Sequence, residues 1–322
     1  NFTMNTMSSC NHSKITEFLL VGFSAPRPLR VLLFSICLVI YIMALGANLM
    51  IIALYLGSHR LRSPMYFFLS NLSATDILLS TTVGPNFLYT LLKHGNPMSV
   101  SACVTQYFAS GVLTGVECLL LTVMAYDRYL AICKPLHYVT IMTNKHCLHL
   151  VIWSWLEIVL FMLPVTITVS HSGFCGCNTL DYIYCDTAPL LKMSCSDVFV
   201  LERAITVINI PVTVIPLLFI FTTYGTILLS IFRISSNTGR QKAFSTCSSH
   251  LTVVSMFYGI LITKYTVPSK GPSLNMNKII SLLYTLVTPL FNSIVYSFRN
   301  QEIQNALSKS HVQMSFWWTQ LQ

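Results

Sequence analysis

"SVSACVTQYFASGVLTGVECLLLTVMA", residues 99–125, runs directly into "YDRYLAIC", residues 126–133. Its 27 residues hold one charge, Glu117. A helix that crosses a bilayer needs roughly 20 mostly apolar residues. The stretch therefore reads as a membrane-crossing helix, and it ends on an acid, a base and a phenol side by side. Charge at the edge of an apolar segment is costly and tends to be retained for function. Asp127 can neutralise Arg128 through a bidentate carboxylate–guanidinium pair. Such a pair can open when a partner offers Arg128 a better site, which makes a switch. The competing reading is an interfacial anchor whose charge snorkels to water and does nothing else.

Six further apolar segments surround this one. With it they run near 31–56, 64–92, 99–132, 147–169, 204–232, 243–263 and 279–298. The second carries Asp76, the third Glu117, the fourth Glu157 and the sixth His250. The whole chain has 322 residues, 54% hydrophobic and 9% charged, where soluble domains carry about 25% charged residues. The expected fold is an all-α membrane protein, a seven-transmembrane helix bundle in the lipid bilayer. Its net charge of +9 falls on span flanks that touch anionic headgroups. The basic residues form no stripe or long run, so no nucleic-acid partner is expected. Residues 1–28 form a segment before the bundle, with no signal-peptide pattern. Residues 29–298 form the bundle, and 299–322 a tail whose Phe316, Trp317 and Trp318 suit an interface.

Seven crossings put the two ends on opposite sides. Lys and Arg in the loops, the usual arbiter, divide nine against nine with Arg128 set aside. The cysteines and sequons decide instead. Cys37, Cys118, Cys133, Cys147 and Cys247 lie in or beside the spans and read as small buried hydrophobes. Cys175, Cys177, Cys185 and Cys195 crowd the polar loop 170–203, which suggests disulfides in an oxidising compartment. A zinc site is the weaker reading, since no His stands at ligand spacing. Glycosylation sequons at Asn1 and Asn11 agree with an N-terminus outside and a C-terminus in the cytoplasm.

"MAYDRYLAICKPLHY", residues 124–138, resembles the third-helix end of odorant receptors, a branch of the rhodopsin-like G-protein-coupled receptors. "LRSPMYFFLSNLSATD" (61–76), "CDTAPLLKMSCSD" (185–197), "KAFSTCSSHLTVVSMFYG" (242–259) and "LLYTLVTPLFNSIVYSFRN" (282–300) resemble the family's second helix, long outer loop, sixth helix and seventh helix. The blocks follow in family order over nearly the whole chain. Two departures stand out. Ala47 separates Gly46 from Asn48, which the family keeps adjacent. Ser293 follows Asn292 where the family has proline, which removes a kink and restores a backbone hydrogen bond.

The resemblance implies an odorant receptor in the plasma membrane. It would bind a small volatile molecule and activate a stimulatory heterotrimeric G protein, raising cyclic AMP. It also implies disulfides Cys103–Cys185 and Cys175–Cys195, with Cys177 left over. Asp76 and Glu117, with Asn48 and Asn292, would form a buried polar hub able to hold water or sodium; no other cofactor is expected.

The ligand face begins on helix three. Tyr107, Ser110, Gly111, Thr114, Gly115 and Cys118 follow three-and-four spacing; the two glycines serve either ligand space or close helix packing. By resemblance Tyr258 forms the pocket floor, Leu261, Ile262 and Tyr265 lie further out, and Ile208, Val212, Leu282 and Thr285 complete the walls. No carboxylate is expected there, which disfavours a cationic amine, and Lys264 at the rim is expected to reach water. Asp127, Arg128, Tyr129, Tyr224, Arg240, Lys242, His250 and Tyr296 would frame the G-protein cleft, with His250 packed and hydrogen-bonded rather than titrating. The alternative class is a polytopic transporter or channel. That class wants broken helices or a charged pathway, and the spans show neither. No nucleophile block or metalloprotease motif argues for an enzyme.

Overall fold

The computed structural model describes residues 15–93, 95–195, 198–233, 236–266, 273–299 and 303–305. Asn1, Asn11, the aromatic residues of the tail and the side chain of Lys242 lie outside the described residues.

Helix α1 spans Arg27–Gly57, α2 Pro64–Lys93 and α3 Val100–Cys133. A short α4, Pro135–Ile141, precedes α5, Asn144–His171. After the long loop with its single helical turn and a half, α6 (Thr187–Lys192), the fifth crossing is α7 (Val198–Asn209) joined through a π-turn at Ile210–Val214 to α8 (Ile215–Phe232). The sixth is α9, Asn237–Thr266. The seventh is α10 (Leu274–Leu282), a π-turn at Leu283–Val287, and α11 (Thr288–Arg299).

Local chemistry sets these limits. Proline opens α2 and α4, where its missing N–H is not needed. Ser99 caps α3 by accepting from Ala102 N, and Thr143 caps α5 by accepting from His146 N. Within the spans, hydroxyls bond back to the preceding turn, as Thr75 to Asn71 O, Ser80 to Asp76 O and Thr114 to Ser110 O. In lipid those groups have no water to turn to. Both π-turns stand just before a proline, Pro216 and Pro289. A proline donates no bond and crowds the carbonyl four residues back, so the helix widens there.

Five of the crossings, the first, third, fourth, fifth and seventh, are long and apolar enough to span a membrane by composition alone. The other two, α2 and α9, have 30 residues each but carry more polar groups. Asp76 and the serines and threonines of α2 face inward; the first half of α9 reads NTGRQKAFSTCSSH. Large apolar side chains point outward on the remaining helices, among them Ile36, Val39, Trp153, Leu160, Leu218 and Phe221. That coat fits acyl chains, not water. Helix α3 is the central element: 67% of its most apolar stretch is buried, against 22% for α1. Its core joins Leu113, Val116, Leu120 and Met124 to Leu72, Ile220, Val253 and Phe257 of its neighbours.

One end of the bundle carries a small sheet, which an all-α expectation lacks. Strand β1 (Glu17–Leu20) lies between β2 (Asn96–Ser99), antiparallel, and β3 (Thr179–Leu180), parallel. Alternation in β1 buries Phe18 and Leu20, and Phe18 packs edge-on against Phe174 at 5.1 Å. Lys278, fully buried at the head of α10, donates to Gly22 O at 2.8 Å and pairs with Asp181 at 2.5 Å. The segment before the bundle is thus bolted to the long loop and to the seventh crossing.

Disulfides Cys103–Cys185 and Cys175–Cys195 fasten the loop to α3 and to itself, and Cys177 is disulfide-bonded as well. No loop thiolate among these four is left for zinc. Ala47 takes its place in an unbroken α1. Ser293 sits in an equally regular α11, its hydroxyl donating to Leu290 O at 2.8 Å. The irregular turn of that crossing lies before Pro289.

Candidate functional site

A cavity of about 70 Å³ opens beneath the long loop. Helix α3 gives it Tyr107, Ser110, Gly111, Thr114 and Gly115; the fifth crossing gives Ile208 and Val212; α9 gives Leu261 and Tyr265. Five expected residues lie elsewhere. Cys118, on the same α3 face, is fully buried in the packed core. Ile262 is 50% exposed on the lipid face, one helical step from Leu261. Tyr258 is buried beside Phe257 and below the cavity, its rings 5.3 Å apart edge-on. Leu282 packs with Phe87, Tyr182 and Leu286 in a separate cluster. Thr285 is buried and donates to Ser281 O. The seventh crossing is therefore not a wall of this cavity.

The two glycines mainly admit a neighbour. A Cβ on Gly115 would stand 2.7 Å from Ile158 Cγ2, and one on Gly111 would stand 2.2 Å from Met162 Cε. Ile158 and Met162 belong to α5, so close α3–α5 packing uses most of the room and the tip of Met162 reaches the cavity wall.

The polar end of the cavity overturns two expectations. Lys264 does not reach bulk water: its side chain is 14% exposed, and Nζ donates to Tyr184 Oη at 2.7 Å and pairs with Asp186 Oδ2 at 2.9 Å. Asp186 is a carboxylate at the cavity wall, where none was expected. Its other oxygen accepts from Thr187 N at 2.8 Å, which caps α6. Burial, then the charge of Asp186, pushes the Tyr184 hydroxyl well above the ordinary phenol range, so it stays protonated. The signal for this end was present in the chain. Cys185 is tethered to α3 by its disulfide, and its neighbours Tyr184 and Asp186 must then lie over the α3 face. Ile205 and Asn209 were likewise legible, one turn from Ile208 and Val212 on the same helical face.

Deeper in the bundle, Asn292 Nδ2 donates to both oxygens of Asp76, at 3.3 and 3.2 Å. Glu117 is the second buried carboxyl of this centre, and Tyr284 Oη donates to its Oε2 at 3.3 Å. Asn48 Nδ2 donates to Ala44 O and Pro289 O. The four expected hub residues are buried at 1–2% exposure. Asn48 Oδ1, Asn292 Oδ1 and Glu117 Oε1 have no hydrogen-bond donor among the described residues. An acceptor-rich centre with two buried carboxyls favours a proton or a cation held among them.

At the end opposite the sheet, Arg128 binds Asp127 through Nε, at 2.9 Å, and Nη2, both to Oδ2. The other oxygen, Oδ1, accepts from Tyr138 Oη of α4 at 2.8 Å. Tyr138 was missing from the expected set, although it lies within the same quoted block. Asp127 is fully buried. Tyr224 and His250 stack with centroids 5.6 Å apart and share a 2.6 Å hydrogen bond that joins α8 to α9. Tyr224 and Tyr296 are buried in the same core cluster as Met124 and Leu130 of α3. Tyr129 instead lies half-buried under Lys134, and Arg240 lines a crevice between α8 and α9.

Comparison with known proteins bears on this arrangement. A family profile described as olfactory receptor matches residues 36–314. Human olfactory receptor 2G6 is 42% identical over 302 residues, covering 94% of this chain and 95% of that protein. Human olfactory receptor 10AG1 is 43% identical over 293 residues, with 91% and 97% covered, and mouse olfactory receptor 5P68 is 42% identical over 299 residues, with 93% and 95% covered. Among solved structures, squid rhodopsin superposes with a TM-score of 0.71 at 17% identity, covering 91% of this chain and 88% of its own.

Proposed function

The chain belongs to the olfactory receptor family, and from that premise we propose that it binds small, largely apolar volatile molecules in the cavity between α3, α5, α7 and α9 and activates a stimulatory, olfactory-type G protein, raising cyclic AMP. It is a multi-pass plasma-membrane receptor. The sheet end faces outward, with Asn11, and Asn1 if it is reached, as glycosylation sites; the Asp127–Arg128 end faces the cytoplasm.

One observation carries this reading: cavity and latch share a rigid rod. Thr114 lines the cavity and Arg128 holds Asp127 on the same unbroken helix, roughly 21 Å apart along its axis. A ligand that binds the open-latch arrangement tenfold better than the resting one shifts the balance by about 1.4 kcal/mol. The cleft exposed at Arg128, framed by Tyr224, His250 and Tyr296, then takes a helical segment of the G protein. Asn48, Asp76, Glu117 and Asn292 hold sodium in the resting state, a role that suits the unpartnered oxygens of Asn48, Glu117 and Asn292.

The test is expression with a cyclic-AMP reporter and a screen of volatiles. The expected result is an odorant-dependent rise that Arg128→Ala abolishes at unchanged surface density. Ion current or solute uptake without nucleotide exchange would defeat it and favour a channel or transporter.

A further inference from the structure

The cavity's polar end is lopsided in what it still has to offer. Asp186 is engaged on both oxygens, by Lys264 at Oδ2 and by the Thr187 amide at Oδ1. Lys264 is an ammonium with three N–H donors; among the described residues two are directed to Asp186 and Tyr184. Charge is balanced within the pair, which is only 13–14% exposed. An added carboxylate would leave this enclosed site with a net negative charge, and an added ammonium with a net positive one. Either imbalance is expensive where water is scarce. The rest of the lining sets apolar Val165, Ile205, Ile208, Val212 and Leu261 beside a few hydroxyl and amide groups, among them Thr114.

Resting on the receptor reading above, we propose that the ligand class is neutral hydrogen-bond acceptors, carbonyl compounds above all, whose oxygen takes the third N–H of Lys264 while a short hydrocarbon body fills the apolar walls. A carbonyl accepts without bringing charge or a donor that needs an acceptor of its own. An alcohol also accepts, but it brings a hydroxyl hydrogen that must find an acceptor of its own. An alkane leaves the N–H unanswered. An amine brings a second cation beside Lys264.

The experiment uses the full-length receptor in cells, read by nucleotide exchange and normalised to surface density. Aldehydes, ketones, alcohols, amines, carboxylic acids and alkanes are presented on the same linear, cyclic and aromatic bodies. The expected result is that carbonyl members activate at concentrations at least about tenfold below the matching alkanes and amines, the scale of one charge-assisted hydrogen bond. The double variant Lys264→Met with Asp186→Asn keeps the site neutral and keeps a capping side chain on α6. It should reach the surface and erase the potency advantage of carbonyl members over the matching alkanes. Amines, acids or alkanes as the most potent agonists of the wild-type receptor would overturn the proposal, as would a carbonyl preference that survives in the double variant. Silence to every compound from a receptor present at the surface counts against the receptor reading itself. Should the double variant fail to reach the surface, Lys264→Arg decides. It keeps the charge and the donors but lengthens the arm, and it must shift the preferred body length towards shorter chains; an unchanged length preference overturns the proposal.

Discussion

Tyr138→Phe removes one hydroxyl and leaves the ring. In the structure that hydroxyl donates to Asp127 Oδ1 at 2.8 Å, while Arg128 occupies Oδ2. A hydrogen bond to a charged group contributes about 1.5–3 kcal/mol. Tyr138 is only partly buried, so water can replace part of the loss, and the low end, about 1.5 kcal/mol, is the fair figure. If the bond exists only while Asp127 is clasped, the resting-to-active ratio falls about tenfold; a receptor with about 1% of molecules active would show about 10%. The assay is basal nucleotide exchange without odorant, at matched surface density. Burial, and next the Asp127 carboxylate, push the Tyr138 hydroxyl above the ordinary phenol range. It therefore remains a protonated donor as pH rises through neutrality, and the variant's effect should be flat with pH there. Basal exchange equal to wild type would refute the view that α4 helps to hold the latch.

Four further predictions concern packing and charge. Gly115→Ala drives a Cβ to 2.7 Å from the branched Ile158 and should destabilise the receptor by about 1–3 kcal/mol, seen as a lower melting temperature in detergent. Gly111→Ala meets only the flexible end of Met162, so it should melt near wild type but lose odorant potency, because the displaced methionine tip moves into the cavity. At the sheet end, Asp181→Ala leaves the buried Lys278 ammonium with the Gly22 carbonyl and the Phe23 ring but no counter-charge among its described contacts, whereas Lys278→Met leaves a carboxylate 49% exposed to water; thermal unfolding should show the aspartate variant as the more damaging by about 1 kcal/mol or more. Asp76→Asn removes the charge that the hub's free oxygens would share with a cation, and agonist potency in the variant should no longer depend on sodium; a wild-type sodium response would remove the ion from the hub.

The crossings were legible because lipid imposes a coarse rule. A run of apolar residues long enough to span must be helical, since no water satisfies its backbone. Segments read near 31–56 and 64–92 became Arg27–Gly57 and Pro64–Lys93, with errors only where helices outgrow the bilayer. The sheet was not legible. β1 offers four residues, EFLL, and both its partners lie far along the chain. Four alternating residues occur by accident too often for period alone to mark a strand. The π-turns were hidden for a related reason: a proline announces an irregular turn, but whether the helix kinks or widens depends on its neighbours.

The cavity shows the same division at the level of single residues. On α3 a helical period selects the face, and Tyr107, Ser110, Thr114 and the glycines line the cavity, while Cys118, in the same period, lies in the packed core. On α9 the period alone does not say which neighbour a face meets, and Ile262 was assigned inward while the bundle turns it to lipid. Lys264 is the sharper case. A lysine near the end of a span reaches water unless an acid is brought to it, because its flexible arm makes both states accessible and burial without a partner is prohibitive. Here the acid arrives from the long loop, held there by a covalent tie one residue away: Cys185 is bonded to Cys103 on α3, and Asp186 follows it. The tether shrinks the volume the carboxylate can explore, which raises its effective concentration at the mouth of the cavity. The pair is then favoured over two separately hydrated charges. A loop cysteine that bridges to a cavity-lining helix thus marks its own sequence neighbours as cavity residues, a rule of chain connectivity that composition and hydropathy do not contain.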